Sequence, residues 1–268
     1  MKLKEWVESA KKQIDTLDCE LIAIKTLGFS DRIDIIMHWE DEYDFSEADK
    51  LLEKRKNGLP FAYISGEKEF FGRKFKVNQN VLIPRPETEQ MIISALGIID
   101  AEKYQEVSIV DVGTGSGCIA VTLKLELLNA GVKSDISGVD YSVPALDTAQ
   151  ENADDLGAYV KFFRSDLLLS ITELPDIITA NLPYVDMKWD WTSPELKYEP
   201  AMALYADDGG LKLIKKLIDE IVEKSDNKKK RFLLLEADTS QHDAIIEYAK
   251  VRKFELISHD GFIIGFKY

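Results

Sequence analysis

Cysteine is scarce in this chain: only Cys19 and Cys118 occur among its 268 residues. Two are too few for a disulfide framework, and neither has a neighbour at a metal-ligand spacing. Histidine is nearly as rare, and His38, His242 and His259 are scattered with no partner evident from sequence, so no metal is expected. No apolar run approaches the ~18 residues of a membrane span. The start, Met-Lys-Leu-Lys-Glu-Trp, lacks the apolar stretch of a signal peptide. Positive charge is also in deficit, with 34 Lys and Arg against 48 Asp and Glu and a net charge of −14. Proteins that grip phosphate backbones carry a basic footprint. The balance therefore argues against direct nucleic-acid binding and for a protein partner, by preference a basic one. Together these absences describe a cytoplasmic protein with reduced cysteines and no membrane partner. What is present is ordinary for a folded protein: 45% hydrophobic and 31% charged residues, with length for one large domain or two smaller ones.

The most informative stretch runs from Ile109 to Ala120, read Ile-Val-Asp-Val-Gly-Thr-Gly-Ser-Gly-Cys-Ile-Ala. Val107, Ile109 and Val110 predict a short buried strand ahead of the glycines. Gly113, Gly115 and Gly117 permit a tight turn and a close backbone approach to a ligand. Beyond Ser116, Ile119, Ala120 and Leu123 recur at helical spacing. Strand, glycine loop and helix make the opening unit of a nucleotide-binding α/β fold. Gly115 to Ala120 satisfies a dinucleotide fingerprint literally. The spacing Asp111-x-Gly113-x-Gly115-x-Gly117 is closer to the first motif of S-adenosylmethionine-dependent methyltransferases.

Around this unit the elements are read in order. Residues 1 to about 57 predict helices: an apolar stripe Trp6, Val7, Ala10, Ile14, Leu17, a second helix ending near Gly28, a third capped by Asp31 and a fourth capped by Ser46. Pro60–Gly66 and Glu69–Val77 are expected to form the arms of a β-hairpin. Leu82-Ile83-Pro84-Arg85-Pro86-Glu87-Thr88-Glu89 reads from spacing as a stiffened entry to a helix reaching about Ile99. Strands and helices then alternate as far as a final helix, Gln241 to Lys250, and two strands near Phe254–Ile257 and Phe262–Phe266 close the chain; the alternation implies a parallel sheet with helices on both faces. Gly113, Asp140, Asp166 and Asn181 all fall at strand C-terminal ends, where such sheets bind ligands.

Each of these has a chemical use. Asp140, 23 residues after Gly117, suits the two hydroxyls of a ribose. Asp166 suits the exocyclic amine of adenine. Neither separates NAD from S-adenosylmethionine. Asn181-Leu182-Pro183-Tyr184 does, because methylation of a planar nitrogen needs such a tetrad and hydride transfer does not. The lone pair of an amide nitrogen is delocalised. The Asn181 oxygen and a nearby backbone carbonyl can accept its two N–H bonds, hold it in line and let positive charge develop. Tyr184 supplies an aromatic face for the planar group.

With these residues in place the chain resembles, over nearly its full length, the protein-(glutamine-N5) methyltransferases that modify peptide chain release factors. The resemblance rests on Tyr63 to Gly72, Leu82 to Glu89, Asp111 to Gly117, the Asn-x-Pro-Tyr tetrad, Tyr198 to Leu204 and Leu233 to Glu236; Pro-Arg-Pro-Glu-Thr-Glu is its most specific part. It implies a Rossmann-like, seven-stranded class I methyltransferase domain over 81–268, a β-hairpin linker over 59–80, and an N-terminal helical domain over 1–58 that helps dock the release factor. It implies S-adenosyl-L-methionine as methyl donor, with S-adenosyl-L-homocysteine as product, and the glutamine of the factor's Gly-Gly-Gln motif as acceptor. By the same resemblance Arg85 and Thr88 lie near the methionine moiety. Gly113, Thr114, Gly115, Ser116, Gly117 and Asp140 hold the cofactor, Asp166 and Leu167 sit near its adenine, and Asn181, Leu182, Pro183 and Tyr184 hold the glutamine. The catalytic set is then Asn181, Pro183 and Tyr184. One position departs from the family: Leu182 stands where a proline is usual, which restores an N–H and frees the Asn181 backbone. Asn-Leu-Pro-Tyr also resembles the tetrad of ribosomal RNA adenine dimethyltransferases, so an RNA N6-adenine methyltransferase is the alternative chemistry. A glutamine methyltransferase of a ribosomal protein is the alternative substrate, and a binding module that has lost turnover through Leu182 is the non-enzymatic one.

Overall fold

The computed structural model describes residues 1–189, 195–226 and 229–268. These form two compact units: Met1–Gly66 with the 3-10 turn Leu196–Tyr198, and the rest of the described chain from Glu67 onward.

The first unit is helical. It contains α1 (Leu3–Ala10), α2 (Thr16–Leu27), α3 (Arg32–Met37), α4 (Ser46–Lys56) and α5 (Phe61–Ser65). The expected stripe from Trp6 to Leu17 is broken in two. The Asp15 carboxylate accepts from the Leu17 N–H at 2.8 Å and starts α2, which leaves Leu17 exposed. Gly28 ends α2 in the left-handed region, and Asp31 caps α3 through the Ile33 N–H, both as the sequence predicts. Ser46 is instead the first residue of α4, and its N–H and hydroxyl donate to Asp44 at 2.9 and 2.6 Å. Residues 61–65, expected as a hairpin arm, form α5: Pro60 suits its start and Gly66, at φ 80°, its end. Leu3, Trp6, Val7, Ile22, Ile35 and Phe45 fill the core of this unit, with Trp6 stacked on Phe45 at 5.1 Å. Arg55 is tied to Asp18 at 2.5 Å and also pairs with Glu195.

The second unit opens with a hairpin, β1 (Glu67–Phe70) and β2 (Arg73–Lys76), so the segment read as one arm supplies both. After the 3-10 turn Pro86–Thr88 come α6 (Glu89–Ala101), β3 (Glu106–Val112), α7 (Cys118–Asn129), β4 (Lys133–Asp140), α8 (Val143–Leu156), β5 (Lys161–Arg164) and β6 (Ile177–Ala180). The chain closes with α9 (Ala201–Leu204), α10 (Lys212–Lys224), β7 (Phe232–Glu236), α11 (His242–Val251), β8 (Glu255–Asp260) and β9 (Ile263–Lys267). Seven strands pair in the order β5-β4-β3-β6-β7-β9-β8. The first five are parallel, and the chain passes from β5 at one edge back to β6 beside β3. β9 runs antiparallel to both neighbours, a departure from the all-parallel expectation. Its cause is local: β8 and β9 are joined by a tight turn through Gly261, too short for a crossover.

Strand alternation divides the core. Val107 and Ile109 of β3 face a cluster with Ile92 of α6 and Leu123 of α7, while Val110 and Val112 face one with Leu217 of α10 and Ile245 of α11. Each such fully buried aliphatic side chain contributes about 1.5–3 kcal/mol. The helices on both faces hold the strand ends level, which sets up the site. Among the described residues, no helix is long and apolar enough to cross a membrane.

Candidate active site

The glycine loop follows β3 directly. The N–H groups of Gly113 and Thr114 both donate to the Val139 carbonyl, at 2.8 and 3.0 Å, so the loop is fastened to β4. Gly113 has φ 73°, and a Cβ there would stand 3.1 Å from Leu182 Cδ2. Backbone conformation and closeness to the 181–184 loop therefore both call for glycine. Asp111 is fully buried beneath the loop. Its two oxygens accept from the Thr114 hydroxyl at 2.6 Å and the Thr179 hydroxyl at 2.8 Å, and burial raises its pKa to about 6. It braces β3, β6 and the loop together.

Above the strand ends lies a cavity of about 450 Å³. Arg85, Thr88, Gly113, Thr114, Gly115, Ser116, Asp140, Asp166, Leu167, Asn181, Leu182 and Pro183 all line it, so most residues singled out by sequence meet in one place. Gly117 and Tyr184 lie outside its lining. Gly117 starts α7, where a Cβ would press on Ala149 at 3.0 Å, so its part is helix packing. The Tyr184 hydroxyl donates to Glu236 Oε1 at 3.4 Å, its carbonyl accepts from Gln241 at 2.8 Å, and burial raises the phenol pKa.

The charged groups are held from behind. Asp140 ends β4 and accepts from the Gly115 N–H at 2.9 Å and the Ser142 N–H at 2.8 Å. Burial nonetheless raises its pKa. Asp166 accepts from Lys216 at 2.7 Å. Arg85 pairs at 2.5 Å with Glu199, whose side chain is 1% exposed and whose second oxygen accepts from the Ile83 N–H at 3.1 Å. Asn181 Nδ2 donates to Thr88 Oγ1 at 3.1 Å. Behind that pair sits Glu236, the last residue of β7. Burial raises its pKa to about 7, against the Thr88, Asn181 and Tyr184 groups that favour its anion.

Nothing in the local sequence assigns a task to Glu199, Glu236 or Thr179. A signal for Glu236 was present, since a carboxylate ending the wholly apolar run Phe-Leu-Leu-Leu is carried indoors by its strand. The histidines also correct an expectation. His242 and His259 are ring partners at 4.9 Å, a ring nitrogen of His242 lies 3.1 Å from the Ala237 carbonyl, and His38 pairs with Asp41 at 2.7 Å.

The residues present suit S-adenosylmethionine. The volume is that of a small-molecule site. At Gly115 a Cβ would meet only the Gly113 carbonyl, at 4.0 Å, so the loop backbone there is open to a ligand, and Asp140 keeps acceptor capacity beyond its two backbone donors.

A family model described as "Methyltransferase small domain" matches residues 92–197. The release factor glutamine methyltransferase of Koribacter versatilis is 39% identical over 236 residues, which cover 83% of this chain and 82% of that protein. The release factor glutamine methyltransferase of Neisseria gonorrhoeae is 41% identical over 208 residues, 74% of this chain and 70% of that protein. Among solved structures, a ribosomal protein L11 methylase from Lactobacillus delbrueckii subsp. bulgaricus superposes with a TM-score of 0.50 at 19% identity, over 75% of this chain and 88% of that one. That last likeness concerns the fold alone.

Proposed function

The chain belongs to the release factor glutamine methyltransferases, and on that premise we propose how its cavity serves the reaction. The enzyme transfers a methyl group to the side-chain amide nitrogen of a glutamine in peptide chain release factors. The acceptor is read as the glutamine of the Gly-Gly-Gln motif, and the donor as S-adenosyl-L-methionine. That donor supplies an electrophilic methyl group on a sulfonium. One observation carries the reading: the glycine loop, Asp140 and the Asn181 carboxamide share one cavity.

In this reading the 113–116 backbone and Asp140 bind the nucleoside portion, with Asp166 and Leu167 toward the adenine and Arg85 toward the methionine end. Arg85 is preset by the buried Glu199 carboxylate, which holds its guanidinium in place through a charged hydrogen bond. Asn181 accepts an N–H of the glutamine through Oδ1, and a carbonyl of the same loop accepts the other. These bonds favour the pyramidal, charged nitrogen over the planar amide. Leu182 and Pro183 wall the acceptor from water. Tyr184 stands behind them and buttresses the loop through Glu236 and Gln241. The helical unit is read as the docking domain for the release factor, in a cytoplasmic enzyme.

The test is methyl transfer from labelled S-adenosylmethionine to a recombinant release factor, beside a copy whose Gly-Gly-Gln glutamine is alanine. Label in the first and none in the second is expected. Equal labelling, or none in either despite cofactor binding, overturns the assignment.

A further inference from the structure

One buried acid next to the cavity has no part in the steps above. Glu236 is 1% exposed, Oε1 receives Tyr184, and Oε2 has no partner at full hydrogen-bond geometry. The Thr88 hydroxyl and the Asn181 amide are the other groups that favour its anion. Thr88 in turn is the acceptor for Asn181 Nδ2, at 3.1 Å.

The direction of the protons in this chain is constrained. A carboxylate only accepts, and a hydroxyl has a single proton to give. Asn181 Nδ2 already donates to Thr88 Oγ1 at 3.1 Å, so the Thr88 proton points elsewhere, and the unpartnered Glu236 Oε2 is the acceptor beside it; only the Thr88 lone pairs then remain for Asn181. A lone pair selects the NH2 end of the carboxamide and rejects the oxygen end. Oδ1 is then the end left for the substrate.

We propose that Glu236, acting through Thr88, is a positioning residue that sets the Asn181 carboxamide with Nδ2 inward and Oδ1 toward the acceptor nitrogen. This rests on the reading of Asn181 as the group that holds the glutamine amide. With the carboxamide turned over, its N–H would meet the N–H of the substrate, and the nitrogen would not be held. Thr88, by resemblance a cofactor contact, becomes the relay between acid and amide.

Protonation supplies a readout. The titratable groups around Glu236 are Tyr184, Cys118 at the start of α7, and Glu87 in the 3-10 turn. Glu236 titrates near 7 in this setting. Its protonated form donates to Thr88, frees the Thr88 proton for Asn181 and favours the wrong amide orientation. Turnover therefore rises with pH through this range.

The experiment compares the wild type with Glu236→Gln, Thr88→Val and Thr88→Ser, using the release factor as acceptor and calorimetry for cofactor affinity. Glu236→Gln and Thr88→Val are expected to lose about 10- to 100-fold in kcat, the scale of a misplaced reacting group. In Glu236→Gln cofactor Kd and release-factor KM stay near wild type and the acid limb of the kcat profile is lost, while Thr88→Ser, which keeps the hydroxyl, falls less in kcat than Thr88→Val. Wild-type kcat in both Glu236→Gln and Thr88→Val overturns the proposal, as does a loss in Glu236→Gln confined to cofactor Kd. Thr88→Val carries the test should Glu236→Gln fail to fold. A readout independent of turnover is the NMR signal of the Asn181 side-chain NH2. It should titrate near pH 7 in wild type and not in Glu236→Gln, and an untitrating signal in wild type refutes the relay. No methyl transfer by wild type, with that titration intact, would count against the proposed function and leave the relay standing.

Discussion

Leu182 shows how one side chain ties the departure from the family pattern to the packing of the site. It is 4% exposed, belongs to the core cluster of β3, β6 and α10, and reaches over Gly113. Leu182→Pro restores the common tetrad but removes part of a buried isobutyl group. It should destabilise the protein by about 1–3 kcal/mol in a denaturant titration and leave methyl transfer intact. Gly113→Ala meets that same Leu182 methyl at 3.1 Å and a φ of 73°. A loss on the order of 1–2 kcal/mol, with weakened cofactor binding by calorimetry, is expected. The glycines, Asp140, Asp166 and Asn181 are legible from sequence because each ends its own strand or follows it within a few residues. Glu199 and Glu236 are not, because their roles depend on partners brought close by the fold. Arg85 and Glu199 are 114 residues apart in the chain, and no local spacing encodes such a pairing.

At the level of elements, the fold is legible in the sequence where period and caps agree and is hidden where composition alone speaks. The alternation from β3 to β7 was plain because buried parallel strands are apolar runs between helical repeats. Phe61 to Ile64 carries β-favouring side chains, yet Pro60 and Gly66 bound a segment that closes into a helical turn. The burial of β9 does not mark it as antiparallel, since Ile263 to Phe266 are buried like β7; only the short turn through Gly261 does. The entry to α10 makes a prediction of its own. At Gly210, with φ 84°, a Cβ would fall 1.9 Å from the Tyr184 carbonyl oxygen, closer than any relaxation of a side chain can relieve. Gly210→Ala must displace the 181–184 loop, and kcat is expected to fall by about 100-fold, the scale of misplaced reacting groups, with a lowered Tm as the companion measurement. Asp111→Asn tests the brace under the glycine loop. One of the two threonine hydroxyls would then face an NH2, at a cost of about 1–3 kcal/mol by denaturant titration.

For the whole molecule, two buried carboxylates set a pH dependence of stability. Burial raises Glu236 from 4.5 to about 7 and Asp111 from 3.8 to about 6. Through each interval the folded state holds a proton that the unfolded chain has released, so stability falls as pH rises and levels off above the folded pKa. Glu236→Gln should therefore stabilise the protein at pH 8 by an amount on the order of 3 kcal/mol, read as a raised Tm, and the gain should shrink toward pH 5. An equal gain at both values would refute the burial argument. Such a variant would be sturdier and slower, the exchange expected where strain is kept for use. The net charge of −14 adds a separate expectation: association with a basic protein partner should slow as salt is raised. The strand order has a further consequence for the protein as it is made. β9 lies between β7 and β8 although it follows both in the chain. A nascent chain that stops before Ile263 therefore presents the fully buried Phe-Leu-Leu-Leu strand as an open edge. Ribosomes that stall there would release a sticky fragment in place of a slow enzyme, and chaperones would meet this protein through β7.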